Sequence, residues 1–239
     1  MPRSPRRMLL SGYPVHVLQR GHNRGQVFGS DADHILYLGL LQEFSKRYAC
    51  VVHAYVLMTN HVHLLVSPPE VVCLSNMMRD VNQIFVQHVN RHQGRCGSVW
   101  QSRPKTCLVD SDSYFLNCQR YIELNPVRAR MVQFPWLYPW SSFSANGSGR
   151  VSELVKPHDA YLRLGASPEI RQAAYRELFE EAIGDEMLGK IRASVSQGWP
   201  LGDEAFVREL ESLGVKSTPG RAGRPKSAKS GPDLGQARV

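Results

Sequence analysis

The feature that most constrains the fold is a pair of apolar runs set almost back to back. Residues 50–57 and 61–67 both read as strands, and only Met58-Thr59-Asn60 separates them. Three residues are too few for a crossover, so the two runs are expected to form an antiparallel hairpin. The second run begins Asn60-His61-Val62-His63-Leu64-Leu65-Val66. Successive side chains of a strand point to opposite faces, so His61 and His63 share one face while Val62 and Leu64 take the other. Two imidazoles held side by side on a strand make half of a divalent-metal site. A His-x-His tripeptide is short, and a purely structural pair reads the same way.

The flanking segments extend the pattern. Residues 13–20 alternate like a strand. Residues 31–48 predict a helix capped by Asp31, with Ile35, Leu38, Leu41 and Phe44 on one stripe. Residues 74–93 predict a helix opened by Ser75, residues 105–109 a strand, and residues 112–125 a helix with Asp110, Ser111 and Asp112 as candidate caps. The order β-α-β-β-α-β-α is that of an α+β protein. It fits a ferredoxin-like split βαβ antiparallel sheet with one added helix, followed by a helical C-terminal appendage. In that appendage, Ser144 to Gly149 reads as a small-residue linker. Helices are expected from Ser167 to about Ile183, from Asp185 to about Ser196, and from Asp203 to Leu213 before Gly214. The helices around Gly198-Trp199-Pro200 admit a helix-turn-helix or a packing or dimer element.

The last predicted helix of the main unit carries Tyr114 and Tyr121, seven apart and on one face, with Asn125 four residues beyond Tyr121. Pro126 is expected to end or kink it at Asn125. A phenol and a carboxamide oxygen therefore meet at a helix end. An amphipathic helix with a half-buried tyrosine would show the same spacing. Asn125 is a candidate oxygen ligand beside His61 and His63, and such a mixed site suits Mg²⁺ or Mn²⁺. Glu123 points away from Tyr121 on a helix, so no carboxylate is expected at the site.

Charge is unevenly placed along the 239 residues, whose net charge is +8. Residues 1–7 carry net +3, residues 8–150 net +5, residues 151–215 net −5 and residues 216–239 net +5. Basic segments attract phosphate polymers, though the same charge also aids solubility. The tail Gly220-Arg221-Ala222-Gly223-Arg224-Pro225-Lys226 resembles an AT-hook without the usual arginine at Ala222. Disorder is the simpler expectation for it. Five cysteines stand singly with no CxxC spacing, which predicts buried thiols in a reducing cytoplasm. The basic start has no long apolar stretch, so neither a signal peptide nor a membrane span is expected.

Two stretches carry a resemblance. Tyr55-Val56-Leu57-Met58-Thr59-Asn60-His61-Val62-His63-Leu64 and Tyr121-Ile122-Glu123-Leu124-Asn125-Pro126-Val127-Arg128-Ala129 resemble the two signatures of the single-tyrosine HUH (insertion-sequence 200-like) transposases. More narrowly, the chain is similar to the REP-associated tyrosine transposases. Gln19-Arg20-Gly21-His22-Asn23-Arg24, Val27-Phe28 and Trp100-Gln101-Ser102-Arg103-Pro104-Lys105 follow in the family's order. His22 stands where the family has Asn, and Pro104 where it has an aromatic.

The resemblance implies a single-tyrosine transposase domain over 13–143, between a basic arm (1–12) and, further on, a helical region (150–215) and a basic tail (216–239). It implies Tyr121 as the nucleophile that cleaves single-stranded DNA, leaving a 5′-phosphotyrosine link. It also implies metal held by His61, His63 and Asn125. Hairpin-forming repeat DNA is the expected partner, contacted by Arg20, Asn23, Arg24, Arg103, Lys105 and Arg128. The expected place is the cytoplasm, on the nucleoid. A homodimer and a monomer both fit. Two other classes remain open at this point: a nucleic-acid-binding module without catalysis, and a histidine-metal hydrolase with His16 or His53 as third ligand.

Overall fold

Four strands, Val15–Arg20 (β1), Val51–Met58 (β2), His61–Ser67 (β3) and Lys105–Leu108 (β4), pair into one antiparallel sheet in the order β2-β3-β1-β4. The computed structural model describes residues 10–110 and 114–215. The basic arm up to residue 9, the Ser111 and Asp112 caps, and the tail from 216 with its AT-hook-like stretch lie outside the described residues. The α+β, ferredoxin-like expectation holds. Only Thr59 and Asn60 remain in the hairpin turn, because Met58 pairs with His61. A bulge between Val52 and Ala54 interrupts β2.

One sheet face is closed by helices Asp31–Arg47 (α1) and Val71–His92 (α2). Val17, Leu57, Val62 and Leu64 from the strands bury against Tyr37, Leu41, Met77 and Phe85. The α1 stripe differs from the expected one. Ile35 is 62% exposed, while His34, Tyr37, Leu41 and Phe44 turn inward. Its cap is Ser30, not Asp31: the Ser30 hydroxyl accepts from Asp33 N and the Asp33 carboxylate accepts from Ser30 N, a reciprocal capping box. Helix α2 starts four residues before Ser75, whose hydroxyl only bonds back to the Val71 carbonyl.

The other face carries Ala54, Val56, Leu65 and Val109, packed against helix Phe115–Glu123 (α3) through Phe115, Cys118 and Ile122. Pro126 does break α3, at Leu124, but the chain resumes at once as the turn Asn125–Arg128 (α4) with proline near its start.

The segment expected as a linker is instead part of the packing. It forms the turn Phe143–Asn146 (α5), with Phe143 and Asn146 buried. Turns and helices follow at Asp159–Leu162 (α6), Pro168–Glu177 (α7), Asp185–Gln197 (α8) and Glu204–Ser212 (α9). Helix α7 stops six residues short of Ile183. Ser167 caps α7, with Pro168 at its first position, as expected; Asp203 caps α9, and the left-handed Gly198 ends α8. Both sheet edges are covered from this part of the chain. At the β2 edge, Trp140 O and Ser142 N bond Leu57 and Tyr55, and Lys156 N bonds Val52 O. At the β4 edge, Leu201 exchanges bonds of 2.8 Å with Leu108 and Asp110. Covering edges blocks strand addition by other chains. Helix α8 packs on β1, β4 and α3 through Ile191 and Val195, so it is a packing element and not a free helix-turn-helix arm. Of the cysteines, Cys50, Cys107 and Cys118 are buried, but Cys96 is exposed. Among the described residues no helix is long and apolar enough to cross a membrane.

Candidate active site

Strand register assembles the site. Pairing of β1 with β3 sets Arg20 opposite His61, Leu18 opposite His63 and His16 opposite Leu65. Residues directly opposite share a face, so His16, Arg20, His61 and His63 all lie on the α3 side of the sheet. The His61 and His63 rings are 5.2 Å apart, edge to face. Helix α3 lays Tyr121 across them: its ring lies 5.7 Å from His63 and 5.9 Å from His16, edge-on to both. The Arg128 guanidinium sits 4.0 Å from the Tyr121 ring centroid and donates to the Tyr121 carbonyl at 2.9 Å. Tyr121 is thus held between imidazoles and a cation, a geometry with a favourable cation–π contact.

Each histidine of the pair has one nitrogen committed inside the protein. His61 Nδ1 is 2.7 Å from Asn60 Oδ1, and Asn60 Nδ2 donates to the Arg24 carbonyl at 3.0 Å. That second bond orients the amide, so Oδ1 is an acceptor and His61 carries its proton on Nδ1. Its Nε2 lone pair is left over. His63 Nδ1 lies 2.7 Å from His16 Nε2, again leaving Nε2. Burial pushes His61 down to about 4, assisted by the nearby Arg20 and Arg128 charges, and pushes His63 well below its usual value. Neutral imidazoles at neutral pH are the form that ligates metal. The pair therefore fits a divalent cation with mixed nitrogen and oxygen ligands. Among the described residues, no group of three His, Cys, Asp or Glu is arranged to hold a metal ion. Further ligands would be oxygens of another kind. Asn125 sits one turn beyond Tyr121, buried, with its Nδ2 donating to the Tyr121 and Ile122 carbonyls at 3.1 Å.

The other expected DNA contacts are scattered. Arg20 is exposed at the rim beside His61. Asn23 and Arg24 are exposed in a turn with left-handed backbone, tied to the hairpin through Asn60. Lys105 is exposed and donates to the Ser196 carbonyl of α8 at 3.0 Å. Arg103 lines a groove of about 1340 Å³ with Gln19, Met78, Arg79, Trp100 and Thr106. Gln19 alternates with Arg20, so that groove opens on the α2 side of the sheet, away from the histidine pair.

His53 is spent inside the fold, on the Lys156 carbonyl at 2.8 Å and the Ser67 hydroxyl at 2.9 Å, so it is no third ligand. Asn60 was not legible as a partner of the pair, and His16, read only as a possible third ligand, instead turns its Nε2 to His63 Nδ1. The one available signal was a histidine inside an apolar strand, with the parity of Arg20. Glu123 does point away from Tyr121, as the helix period requires. It is fully buried and accepts from Ser142 Oγ at 2.5 Å, Asn146 Nδ2 at 2.8 Å and Tyr175 Oη at 2.8 Å.

A four-stranded ferredoxin-like sheet, with paired histidines on one face under a helix-borne tyrosine, defines the class of protein. Residues 10–125, just under half of the chain, match the family model described as Transposase IS200 like. A solved structure of a REP-associated tyrosine transposase bound to a REP hairpin is similar, with a TM-score of 0.53 and 18% identity over 66% of this chain and 93% of that one. A putative transposase from Deinococcus radiodurans R1 aligns at 18% identity and a TM-score of 0.33, over 51% of this chain and 96% of that one. Comparison with curated proteins found no match.

Proposed function

We propose that this chain is a metal-dependent single-stranded DNA endonuclease and strand transferase that uses Tyr121 as nucleophile on hairpin-forming repeat DNA. One observation carries the reading: the Tyr121 ring stands edge-on to His63 at 5.7 Å, beside the His61–His63 pair. In this reading Tyr121 Oη attacks the scissile phosphorus. The Oη–P bond forms, the bond from phosphorus to the 3′ oxygen breaks, and the phenolic proton is balanced by the one gained at the departing 3′ hydroxyl. The product is a 5′-phosphotyrosine link, which keeps the phosphodiester energy for rejoining without a nucleotide.

A cation, Mg²⁺ or Mn²⁺, held by His61, His63 and the Asn125 oxygen would supply charge neutralisation at the phosphate. Arg128 steadies the Tyr121 ring and adds fixed positive charge where negative charge develops. Arg20, Asn23 and Arg24 at the rim, with Lys105, take backbone contacts, and Arg103 takes them along its groove. The REP hairpin on the similar solved structure supports a hairpin as ligand. Tyr121 and His63 meet within one chain, which supports action in cis, by a monomer or by each subunit of a homodimer.

The test is an oligonucleotide that carries a hairpin and its flank, incubated with Mn²⁺ and the protein. Wild type should give an adduct that survives denaturation. Tyr121→Phe should give none while binding the DNA within about twofold, since only the hydroxyl is removed. His61→Ala and His63→Ala should lose metal-dependent cleavage. Adducts persisting in Tyr121→Phe would move the chemistry to another residue. Tight hairpin binding by wild type with no adduct under any metal would favour the non-catalytic binding module.

A further inference from the structure

His16 takes no part in the chemistry proposed for Tyr121 and the metal, yet it touches both Tyr121 and His63. It sits in the middle of β1, fully buried, so it reaches neither DNA nor solvent. Its ring stacks on His63 with centroids 5.0 Å apart and meets Tyr121 edge-on at 5.9 Å. Its Nε2 is 2.7 Å from His63 Nδ1, while its own Nδ1 is buried without a hydrogen-bond partner. Burying an unpaired ring nitrogen is unfavourable, and an apolar side chain would fill the position without that penalty. The Nε2 contact is what a histidine adds there.

Two imidazole nitrogens 2.7 Å apart share one proton, since two lone pairs or two N–H groups would repel. If the proton sits on His16 Nε2, His63 must carry its own on Nε2 and has no lone pair left. If it sits on His63 Nδ1, His63 Nε2 is free. Asn60 imposes this second arrangement on His61, through an acceptor whose orientation is fixed by the Arg24 carbonyl. Two side chains that hold one cation both need a free Nε2, and the outer partners of metal-ligating histidines commonly set the tautomer.

We propose that His16 is a positioning residue that holds His63 in its Nδ1–H tautomer, as Asn60 does for His61, and so keeps His63 Nε2 ready for metal. This rests on the metal reading of the His61–His63 pair. Through its edge contact with Tyr121 the same ring also ties that ligand to the nucleophile.

Two measurements on the full chain decide it. Long-range ¹⁵N–¹H NMR of metal-free wild type reads the His63 tautomer. A proton on Nδ1 is expected, and a proton on Nε2 overturns the proposal. Mn²⁺ affinity, followed by the EPR signal of the free ion, is then compared across variants. His16→Leu, which keeps the packing, should weaken Mn²⁺ binding about tenfold or more. His16→Gln places a carboxamide oxygen near the position of Nε2 and should stay within about threefold of wild type. Wild-type affinity in His16→Leu overturns the proposal. If that variant does not fold, the wild-type tautomer and the His16→Gln affinity still decide. His61→Ala is the separate control on the metal reading. If wild type binds no Mn²⁺, or His61→Ala binds it equally well, that reading falls and the proposal with it.

Discussion

Glu123 is two residues from the proposed nucleophile, Tyr121, and turned away from it, yet three side chains hang from its carboxylate. Ser142, Asn146 and Tyr175 all donate to its carboxylate. Burial pushes its pKa up from 4.5 to about 7, against those hydrogen bonds, which pull it down. A carboxyl raised in this way stabilises the fold fully below about pH 4.5, and that contribution is lost as pH rises to about 7. The buried histidines run the other way. Burial lowers His16 to about 3 and His53 to about 4, and lowers His63 strongly. Their contribution is present above pH 6.5 and is lost as pH falls. At about 1.4 kcal/mol per pH unit for each group, three histidines outweigh one carboxyl. The metal-free protein is therefore expected to lose stability as pH falls from 6.5 towards 4.5. Glu123→Gln removes the opposing titration, so its stability should fall more steeply into acid than that of wild type. Urea denaturation from pH 5 to 8 measures both; parallel profiles would sink the argument.

The α3–α4 junction shows how an element end can also be a site. Asn125 bonds two carbonyls at the end of α3, and Arg128 bonds one of them from the next turn. Two side chains of α4 thus pin the Tyr121 backbone across the break. Asn125→Ala deletes both carboxamide bonds and should cost about 1–2 kcal/mol of stability. Because the Tyr121 backbone loosens, cleavage should drop as well, by more than that variant's weaker metal binding accounts for. His61→Ala should do the reverse, sparing stability while losing metal. A denaturation midpoint unchanged in Asn125→Ala would show that Pro126 alone sets the junction. The 112–125 spacing ran one helix through Tyr121 and Asn125, whereas Asn125 lies beyond the break, in α4. It missed that the chain would turn again after Pro126, because that turn depends on Arg128 finding the Tyr121 ring.

At the scale of the molecule, the chain after Trp140 completes the sheet. It covers both edges, lays α8 on the histidine face, and sends Phe206, Leu210 and Val215 into the core under α1 and α2. Tyr13 adds a 2.5 Å bond to Glu209. Removing residues 151–239 should therefore leave an insoluble or unfolded chain, through exposed apolar surface and open sheet edges. Removing only 216–239 should leave the melting temperature unchanged. It deletes net +5 of charge, so DNA binding should weaken for all sequences. The salt dependence of binding should flatten by about one log unit for each DNA phosphate that the shortened chain leaves unneutralised. Hairpin preference and cleavage at saturating DNA should survive. Titrations at two salt concentrations check this, and loss of hairpin preference with unchanged affinity would make the Gly223-Arg224-Pro225 stretch a specific reader.

What the amino-acid order determines by itself is periodic. Alternation along 13–20, 50–57 and 61–67 sets the hairpin, and with it the pairing of His61 and His63 on one face. The 3.6-residue period sets Tyr121 and the outward turn of Glu123. These follow from backbone geometry, which every residue carries locally. Which partner each side chain meets across the fold was left to the tertiary structure. His16 reaches His63 only through the β1–β3 register, 47 residues away. Ser142, Asn146 and Tyr175 reach Glu123 only because the supposed linker folds into the core. Ile35 faces solvent because the rotation of α1 is settled by packing on Phe85 and the sheet, and not by its own stripe. Contacts of this kind depend on register and packing between distant segments, for which local spacing carries no signal.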